Sequence, residues 1–317
     1  MAAYTGIHTQ IARNNRLSAI YLMAFPLLIF AAVWVFFFLL AGWTEEPQMA
    51  DPVSSATDLF VNALPAITAV VLIWFLIAYF ANTSMIRAAT GAKTLSRKEN
   101  MRVYNLCENL CMSQGMAMPK LNIIESPALN AFASGINQKT YTVTLTRGII
   151  DKLNDEELEG VIAHELMHIR NHDVRLLIIS IIFVGIFSFA VQIALRSFFY
   201  GSMGGRRSKD AGKAMIIALV IALIAYFLSL IFKFGLSRKR EYMADAGAAD
   251  MTKNPRALAS ALRKISGNHQ LDVNDDVKQL FIENEPQKDS KEFSLNLTSW
   301  FATHPPIDRR IQVLEQF

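Results

Sequence analysis

Apolar residues along this chain are gathered into four long runs separated by polar stretches. The runs 17–44 and 59–86 contain no charged residue, and neither do the shorter runs 176–195 and 214–232. A helix of about 20 apolar residues spans the hydrocarbon core of a bilayer. The pattern therefore predicts four hydrophobic membrane helices. The first run is too long for the apolar region of a signal peptide, so it is interpreted as an uncleaved anchor.

The basic residues predict how these helices are oriented. Arg13 and Arg16 precede the first run, the loop 45–58 carries only acidic charges, and basic residues follow the second run. Because basic loops remain on the cytoplasmic side, residues 87–175 are predicted to be cytoplasmic. The loop 196–213 is also basic, which leaves two alternatives for the second pair of helices: a full crossing or a shallow hairpin.

Composition narrows the class of protein and its partners. Hydrophobic residues make up 52% of the chain, which excludes an ordinary soluble domain, and the formal net charge is +4. Basic residues near the ends of the runs favour contact with anionic lipids of the bilayer. No nucleic-acid recognition motif and no phosphate-binding loop is present, so neither nucleic acid nor nucleotide is expected as a partner. Cys107 and Cys111 have the spacing of one helix face and are interpreted as reduced thiols.

The segments between and after the apolar runs have the pattern of a folded domain. Helices are predicted at 96–113, 255–265 and 306–317, and short strands at 121–124 and 141–145 with a hairpin-like turn at 135–138. This combination predicts an α+β domain that is mainly helical.

The sequence His-Glu-Leu-Met-His at 164–168 is the strongest chemical signal. On a helix, His164 and His168 lie one turn apart on one face, so both imidazoles can bind one Zn²⁺. Glu165 lies beside them as a candidate base. Asn154 is predicted to be the N-cap of this helix, with acidic residues in the first turn, which puts the motif in mid-helix. The alternative is an ordinary pair of surface or core histidines.

A catalytic zinc site needs a third protein ligand, and two candidates remain. His172 lies one further turn along the same helix. Side chains at three consecutive turns of a straight helix do not all face one ion, which favours a surface role for His172. Glu241 is the better candidate. Asp245, one turn later, could accept the ring N–H of a ligating histidine. A charge cluster beside the membrane is the alternative explanation of this segment.

Several motifs in order resemble the HtpX-type membrane zinc metalloproteases, a branch of the family that includes the CAAX prenyl proteases. They are residues 130–133, 164–168, 240–245 and 303–311. The resemblance implies an integral membrane protein with four hydrophobic helices and a gluzincin-like zinc protease domain beside the membrane, with a small β-sheet.

The resemblance also implies how the chain is divided. The first two membrane helices are expected at 1–86 and a membrane hairpin of two more at 176–234. The protease domain would be built from two cytoplasmic segments, one at 87–175 that carries the His-Glu-Leu-Met-His helix and one at 235–317 that carries the third ligand.

Roles for single residues follow from the same resemblance. One Zn²⁺ per chain would be held by His164, His168 and Glu241, with Glu165 as the catalytic base and Asp245 supporting a ligating histidine. His304 would approach the reacting carbonyl or cover the metal.

Other roles concern the substrate. Arg310 would anchor the loop that carries His304 or donate to the oxyanion. An extended substrate would add to the strand that includes Asn130, Ala131 and Phe132.

The implied activity is ATP-independent hydrolysis of misfolded or damaged membrane proteins at the bacterial inner membrane, with the active site facing the cytoplasm. An intramembrane protease is disfavoured because the segment 151–175 is too rich in charge to lie in lipid. A non-catalytic zinc-binding scaffold or holdase is the alternative from another class. The presence of Glu165 argues against it, because a structural zinc site has no use for a base.

Overall fold

A computed structural model describes residues 7–42, 51–203, 209–234, 238–266 and 305–317. Its helices are α1 (Ile7–Gly42), α2 (Pro52–Thr90), α3 (Met101–Ser113), α4 (Arg147–Lys152), α5 (Asp155–Arg170), α6 (Asp173–Met203), α7 (Lys209–Phe234), α8 (Arg238–Thr252), α9 (Pro255–Ile265) and α10 (Ile307–Leu314). The strands are β1 (Lys93–Thr94), β2 (Lys120–Ile124), β3 (Ala131–Ser134) and β4 (Thr142–Thr146). The fold is mainly helical with one small sheet, as predicted.

The chain divides into two compact units. The apolar unit consists of Ser18–Phe80 and Ile179–Lys233. The polar unit consists of Met1–Leu17, Ala81–Ile178 and Phe234–Phe317, so it includes the first turns of α1 and all four strands.

Three helical segments in the described residues are long and apolar enough to cross a membrane. They are Ile11–Gly42, Pro52–Ile77 and Asp173–Arg196. The fourth apolar run is also helical and lies within α7, but its apolar portion, Gly212–Leu228, is shorter. The first three predicted membrane helices are thus confirmed by length and composition, whereas the fourth is not. Residues 204–208, in the basic loop, lie outside the described residues.

The sheet has the order β1-β2-β4-β3 and mixed strand directions. β2 and β4 are parallel, with Lys120 opposite Thr142, whereas β3 and β4 are antiparallel, with Ala131 opposite Leu145. The two strands predicted at 121–124 and 141–145 are therefore parallel neighbours, and the hairpin turn joins β3 to β4. Gly135 in this turn has φ +109°, and a Cβ there would lie 2.4 Å from the carbonyl oxygen of Thr140. Only glycine fits this position.

Helix α5 is the centre of the polar unit. The predicted N-cap is confirmed as a capping box, in which Asn154 accepts from the backbone N–H of Glu157 and the Glu157 carboxylate accepts from that of Asn154. From its second turn onward α5 is almost entirely buried, and it packs against α3, α8, α9, β3 and β4. Gly160 permits the close approach of α9, since a Cβ there would lie 3.2 Å from the Cα of Leu258. α5 ends at Arg170 with Asn171 as its C-cap, and His172 follows with φ +59°.

Helices α9 and α10 pack on the α5 and α8 helices of the polar unit. The helix predicted at 255–265 is present as α9, and its N-cap is Asn254, whose side chain accepts from the N–H of Ala257. The buried carboxylate of Glu157 ties α9 to α5 by accepting from Ser260 at 2.7 Å and Lys264 at 2.6 Å. α10 packs on α8 and α9 through Ile307, Ile311 and Leu314. These contacts fix α10 relative to α5.

Candidate active site

Helices α5 and α8 bring three donor side chains together. His164 and His168 lie one turn apart on α5, and their Nε2 atoms are 3.1 Å from each other. Glu241, in the first turn of α8, has its carboxylate oxygens 3.6 Å from Nε2 of His164 and 3.5 Å from Nε2 of His168. Among the described residues, these three form the group of histidine, cysteine and acidic side chains that could hold a metal ion.

The spacing of the three donor atoms suits a small ion with tetrahedral coordination. Bonds of about 2.0 to 2.1 Å at tetrahedral angles put neighbouring ligand atoms about 3.4 Å apart. The two Nε2 atoms are 3.1 Å apart, and each lies close to a different Glu241 oxygen: Oε2 is 3.6 Å from His164 and Oε1 is 3.5 Å from His168. One donor atom from each residue lies within 4.8 Å of the other two. The residues present therefore fit a metal ion, and three ligands leave the fourth position for water or substrate.

Asp245 contacts the ring of His164 and is itself paired with Arg310. Asp245 Oδ1 lies 3.0 Å from Nδ1 of His164, so Nδ1 carries the proton and Nε2 is directed at the metal position. Arg310 of α10 binds both oxygens of Asp245, at 2.9 and 2.8 Å. Arg310 and Asp245 are each 1% exposed. This pair orients His164 through a segment that is distant in the sequence.

The charges around His164 favour a cation where the donors converge. Burial lowers the pKa of His164, but the carboxylates of Asp245 and Glu241 outweigh burial and raise it to about 9. Burial raises the pKa of Asp245, but the charge of Arg310 and hydrogen bonds from His164 and Arg310 lower it to about 2. The site thus stabilises positive charge on His164 and negative charge on Asp245.

His168 is supported in the same way by Asp173, a residue that the sequence analysis missed. Asp173 Oδ2 lies 3.1 Å from Nδ1 of His168. Its other oxygen accepts from Asn14 at 2.7 Å, and Nε of Arg240 lies 3.9 Å from that same oxygen. The sequence signal that could have identified Asp173 is its position as an acidic residue just after α5. The direction of its side chain depends on the turn between α5 and α6, which the sequence pattern does not specify.

The remaining candidates on α5 and beyond take different positions. Glu165 follows His164 directly on α5 and is 2% exposed. His172 is not part of the three-residue group, and its Nδ1 lies 2.9 Å from Oδ1 of Asn15. His304 lies outside the described residues. Arg310 also reaches the three-residue group, because its guanidinium lies 3.4 Å from Nε2 of His164 and 3.7 Å from Oε2 of Glu241.

Strand β3, which packs against α5, is at the edge of the described sheet. The backbone oxygen of Asn130 accepts from the N–H of Thr146, so the pairing with β4 starts there. In an antiparallel pair alternate residues direct their backbone groups away from the partner, and Ala131 and Ala133 occupy those alternate positions. Asn130, Ala131 and Phe132 are all buried, so their side chains are not displayed to solvent.

Comparison with known proteins assigns the family. The model of Peptidase family M48 matches residues 97–317, which include every residue of the site described above except Asn14 and Asn15. This chain belongs to that family. Together with the membrane-spanning helices, membership makes it a membrane metallopeptidase, and the resemblance to HtpX-type proteases is confirmed.

Relatives extend the similarity beyond the matched domain. A Protease HtpX homolog of Bacteroides fragilis is 57% identical over 321 residues, which cover 99% of both chains. A homolog of the same name from Dictyoglomus turgidum is 40% identical and covers 77% of this chain and 81% of its own. Another from Listeria monocytogenes is 37% identical and covers 81% of this chain and 87% of its own. The crystal structure of S. mikatae Ste24p covers 97% of this chain and 67% of its own, with 19% identity and a TM-score of 0.48.

Proposed function

We propose that this protein is a zinc-dependent endopeptidase that hydrolyses misfolded or damaged membrane proteins without ATP. The convergence of His164, His168 and Glu241 on one point, with Glu165 on the same helix, carries the proposal. Two neutral imidazoles and a carboxylate form the ligand set of catalytic zinc sites that leave one position open.

Several residues of this chain would have separate roles in hydrolysis. Zinc, when bound, would polarise the substrate carbonyl and lower the pKa of water to about 7. Glu165 would take the proton of the attacking water and deliver it to the leaving amine. Burial of Glu165 excludes bulk water from this proton transfer. Asp245 and Asp173 would hold the ring nitrogens of the two histidines in the orientation that binds the metal.

Two further residues would act on the developing oxyanion. His304 would donate to it, and the two prolines that follow would stiffen its backbone by fixing two φ angles. Arg310 would add positive charge nearby, since its guanidinium is already 3.4 Å from Nε2 of His164.

Strand β3 supports the proposal about the substrate. A polypeptide in extended form would pair with the outer edge of Ala131 to Ala133 through main-chain hydrogen bonds. Because Phe132 and its neighbours are buried, recognition would depend little on substrate side chains. Such a site accepts any segment that is already unfolded and near the membrane, which suits quality control of membrane proteins under envelope stress.

Two variants test the catalytic assignment. Glu165→Gln keeps the ligands and should retain zinc while losing proteolysis, because its side chain accepts no proton. Glu241→Ala removes a ligand and should lose zinc affinity as well. The measurements are zinc content and cleavage of casein or a membrane-protein substrate by the purified full-length protein. Cleavage by Glu165→Gln at the wild-type rate would refute the assignment. A wild-type protein that binds zinc but cleaves nothing would favour the scaffold or holdase.

We propose further that the protein lies in the bacterial inner membrane with its active site facing the cytoplasm. Single cysteines at Asp51 and Lys139, both exposed, test this orientation. Asp51→Cys should react with an impermeant maleimide added to intact spheroplasts, and Lys139→Cys only after permeabilisation. Cys107 and Cys111 are buried, so background labelling should be low. Labelling of Lys139→Cys from outside would reverse the orientation.

A further inference from the structure

The turn between α5 and α6 is held by a residue from the start of α1. Asn171 is the C-cap of α5, His172 adopts the left-handed conformation, and Asp173 begins α6. The side-chain amide nitrogen of Asn14 donates to the carbonyl oxygen of Asn171 and to Oδ1 of Asp173, both at 2.7 Å. Asn14 is 1% exposed and belongs to the same polar unit as this turn.

The carboxylate of Asp173 is shared between two partners that use different oxygens. Oδ2 faces Nδ1 of His168 at 3.1 Å, and Oδ1 accepts from Asn14. Asp173 is 4% exposed, so water cannot replace either partner freely. The orientation of the His168 ring therefore depends on which way the carboxylate is rotated.

Arg240 offers Asp173 an alternative orientation. Its Nε lies 3.9 Å from Oδ1, too far for a hydrogen bond but close enough for charge attraction. If the donor at Oδ1 is removed, the carboxylate can rotate towards Arg240 and draw Oδ2 away from His168. A neutral amide at 2.7 Å opposes that rotation and adds no charge beside the metal site.

We propose that Asn14 is a positioning residue for His168, acting through Asp173. The inference rests on the proposed zinc site. It assigns to the start of α1 a role in the metal site, parallel to the role that Arg310 of α10 has for His164 through Asp245. Each histidine ligand is thus oriented by a carboxylate, and each carboxylate is locked by a residue from a remote segment. Asn14 lies outside the portion of the chain that the family model matches.

The direct test compares Asn14→Ala with Asn15→Ala. Asn15 is the neighbouring residue on α1, is exposed, and contacts His172 without reaching the metal group, so it is a matched control. The zinc dissociation constant is measured by competition with a chelator on the purified full-length protein. Asn14→Ala should weaken zinc binding about 10- to 100-fold, the effect usual for a residue that supports a metal ligand. Asn15→Ala should leave it within about twofold of wild type.

A double-mutant cycle with Asp173→Ala separates positioning from a merely structural role. If Asn14 acts through Asp173, the double variant should bind zinc no more weakly than Asp173→Ala alone. Additive losses would mean that Asn14 only braces the turn through the carbonyl of Asn171, and would overturn the inference.

A second variant keeps the test valid if Asn14→Ala does not fold. Asn14→Asp preserves the shape of the side chain but replaces the N–H donors by an acceptor, and it should weaken zinc binding at least tenfold. Wild-type affinity in Asn14→Asp would overturn the inference. Failure of the zinc site itself gives a different result: wild type and Glu241→Ala would then bind zinc equally.

Discussion

Replacing Arg310 by methionine tests how much the buried ion pair contributes to the fold. Arg310→Met retains most of the apolar stem but leaves the carboxylate of Asp245 buried without its guanidinium. The pKa of Asp245 lies at about 2 in place of 3.8, which corresponds to about 2 kcal/mol of stabilisation of the charged form. Removal of one partner from a buried pair costs about 3 to 5 kcal/mol.

The expected result is a lower melting temperature of the metal-free protein. For a folded unit of this size each kcal/mol corresponds to about 2 to 4 °C, so Arg310→Met should lower Tm by about 6 to 20 °C at pH 7. Tm is measured on the full-length protein in detergent with EDTA. Arg309→Met is the matched control, because Arg309 is the neighbouring residue and is exposed. The two variants should differ clearly.

Acid provides a second test of the same pair. The pKa of Asp245 is lowered in the folded state, so its contribution is complete above about pH 4 and is lost as the pH falls towards 2. Wild type should lose stability in that window, and Arg310→Met should lose less. Equal Tm values for Arg310→Met and Arg309→Met would refute the reasoning about the pair.

Two further predictions concern the candidate metal site and the packing at Gly148. Because the pKa of His164 is raised to about 9, its contribution to the stability of the metal-free fold is present below about pH 6.5 and is lost as the pH rises through 9. Zinc must displace that proton, so the apparent zinc affinity should rise about tenfold per pH unit between pH 7 and 9; a flat profile there would contradict it. Gly148→Ala should destabilise the fold by about 1 to 3 kcal/mol, because its Cβ would lie 2.1 Å from the carbonyl oxygen of Pro127. Gly185→Ala, which meets nothing within 4 Å, is the control, and equal stabilities would refute the packing argument.

Local signals account for most of what the sequence predicted correctly. The capping box at Asn154 and the spacing of His164 and His168 need only one helix to be interpreted, so the metal helix could be predicted in detail. Glu241 required the further hypothesis that α8 folds back onto α5. That hypothesis rested on chemistry and resemblance, and the structure brings the carboxylate within 3.6 Å of His164.

Features that depend on turns and long-range packing were missed. The left-handed His172 directs Asp173 towards His168, and a histidine in that conformation has no reliable sequence signature. The parallel pairing of β2 with β4 was also not predicted, because strand direction is decided by how the chain crosses over and not by the strand residues themselves. In the sequence Asn14 is one polar residue before an apolar run, and nothing local indicates its partner.

The sequence distance between the segments that form the active site has a consequence for the biosynthesis of the protein. His164 and Arg310 are separated by 146 positions, and Asn14 and Asp173 by 159. At about 5 to 20 residues per second, the ribosome adds Arg310 roughly 7 to 30 s after His164. Asp245 is added 65 residues before Arg310, so in the last part of that interval it is present without its guanidinium partner. A nascent chain therefore passes through this period without the contacts of Arg310 to His164 and Asp245, and the candidate site is complete only after Arg310 has been added.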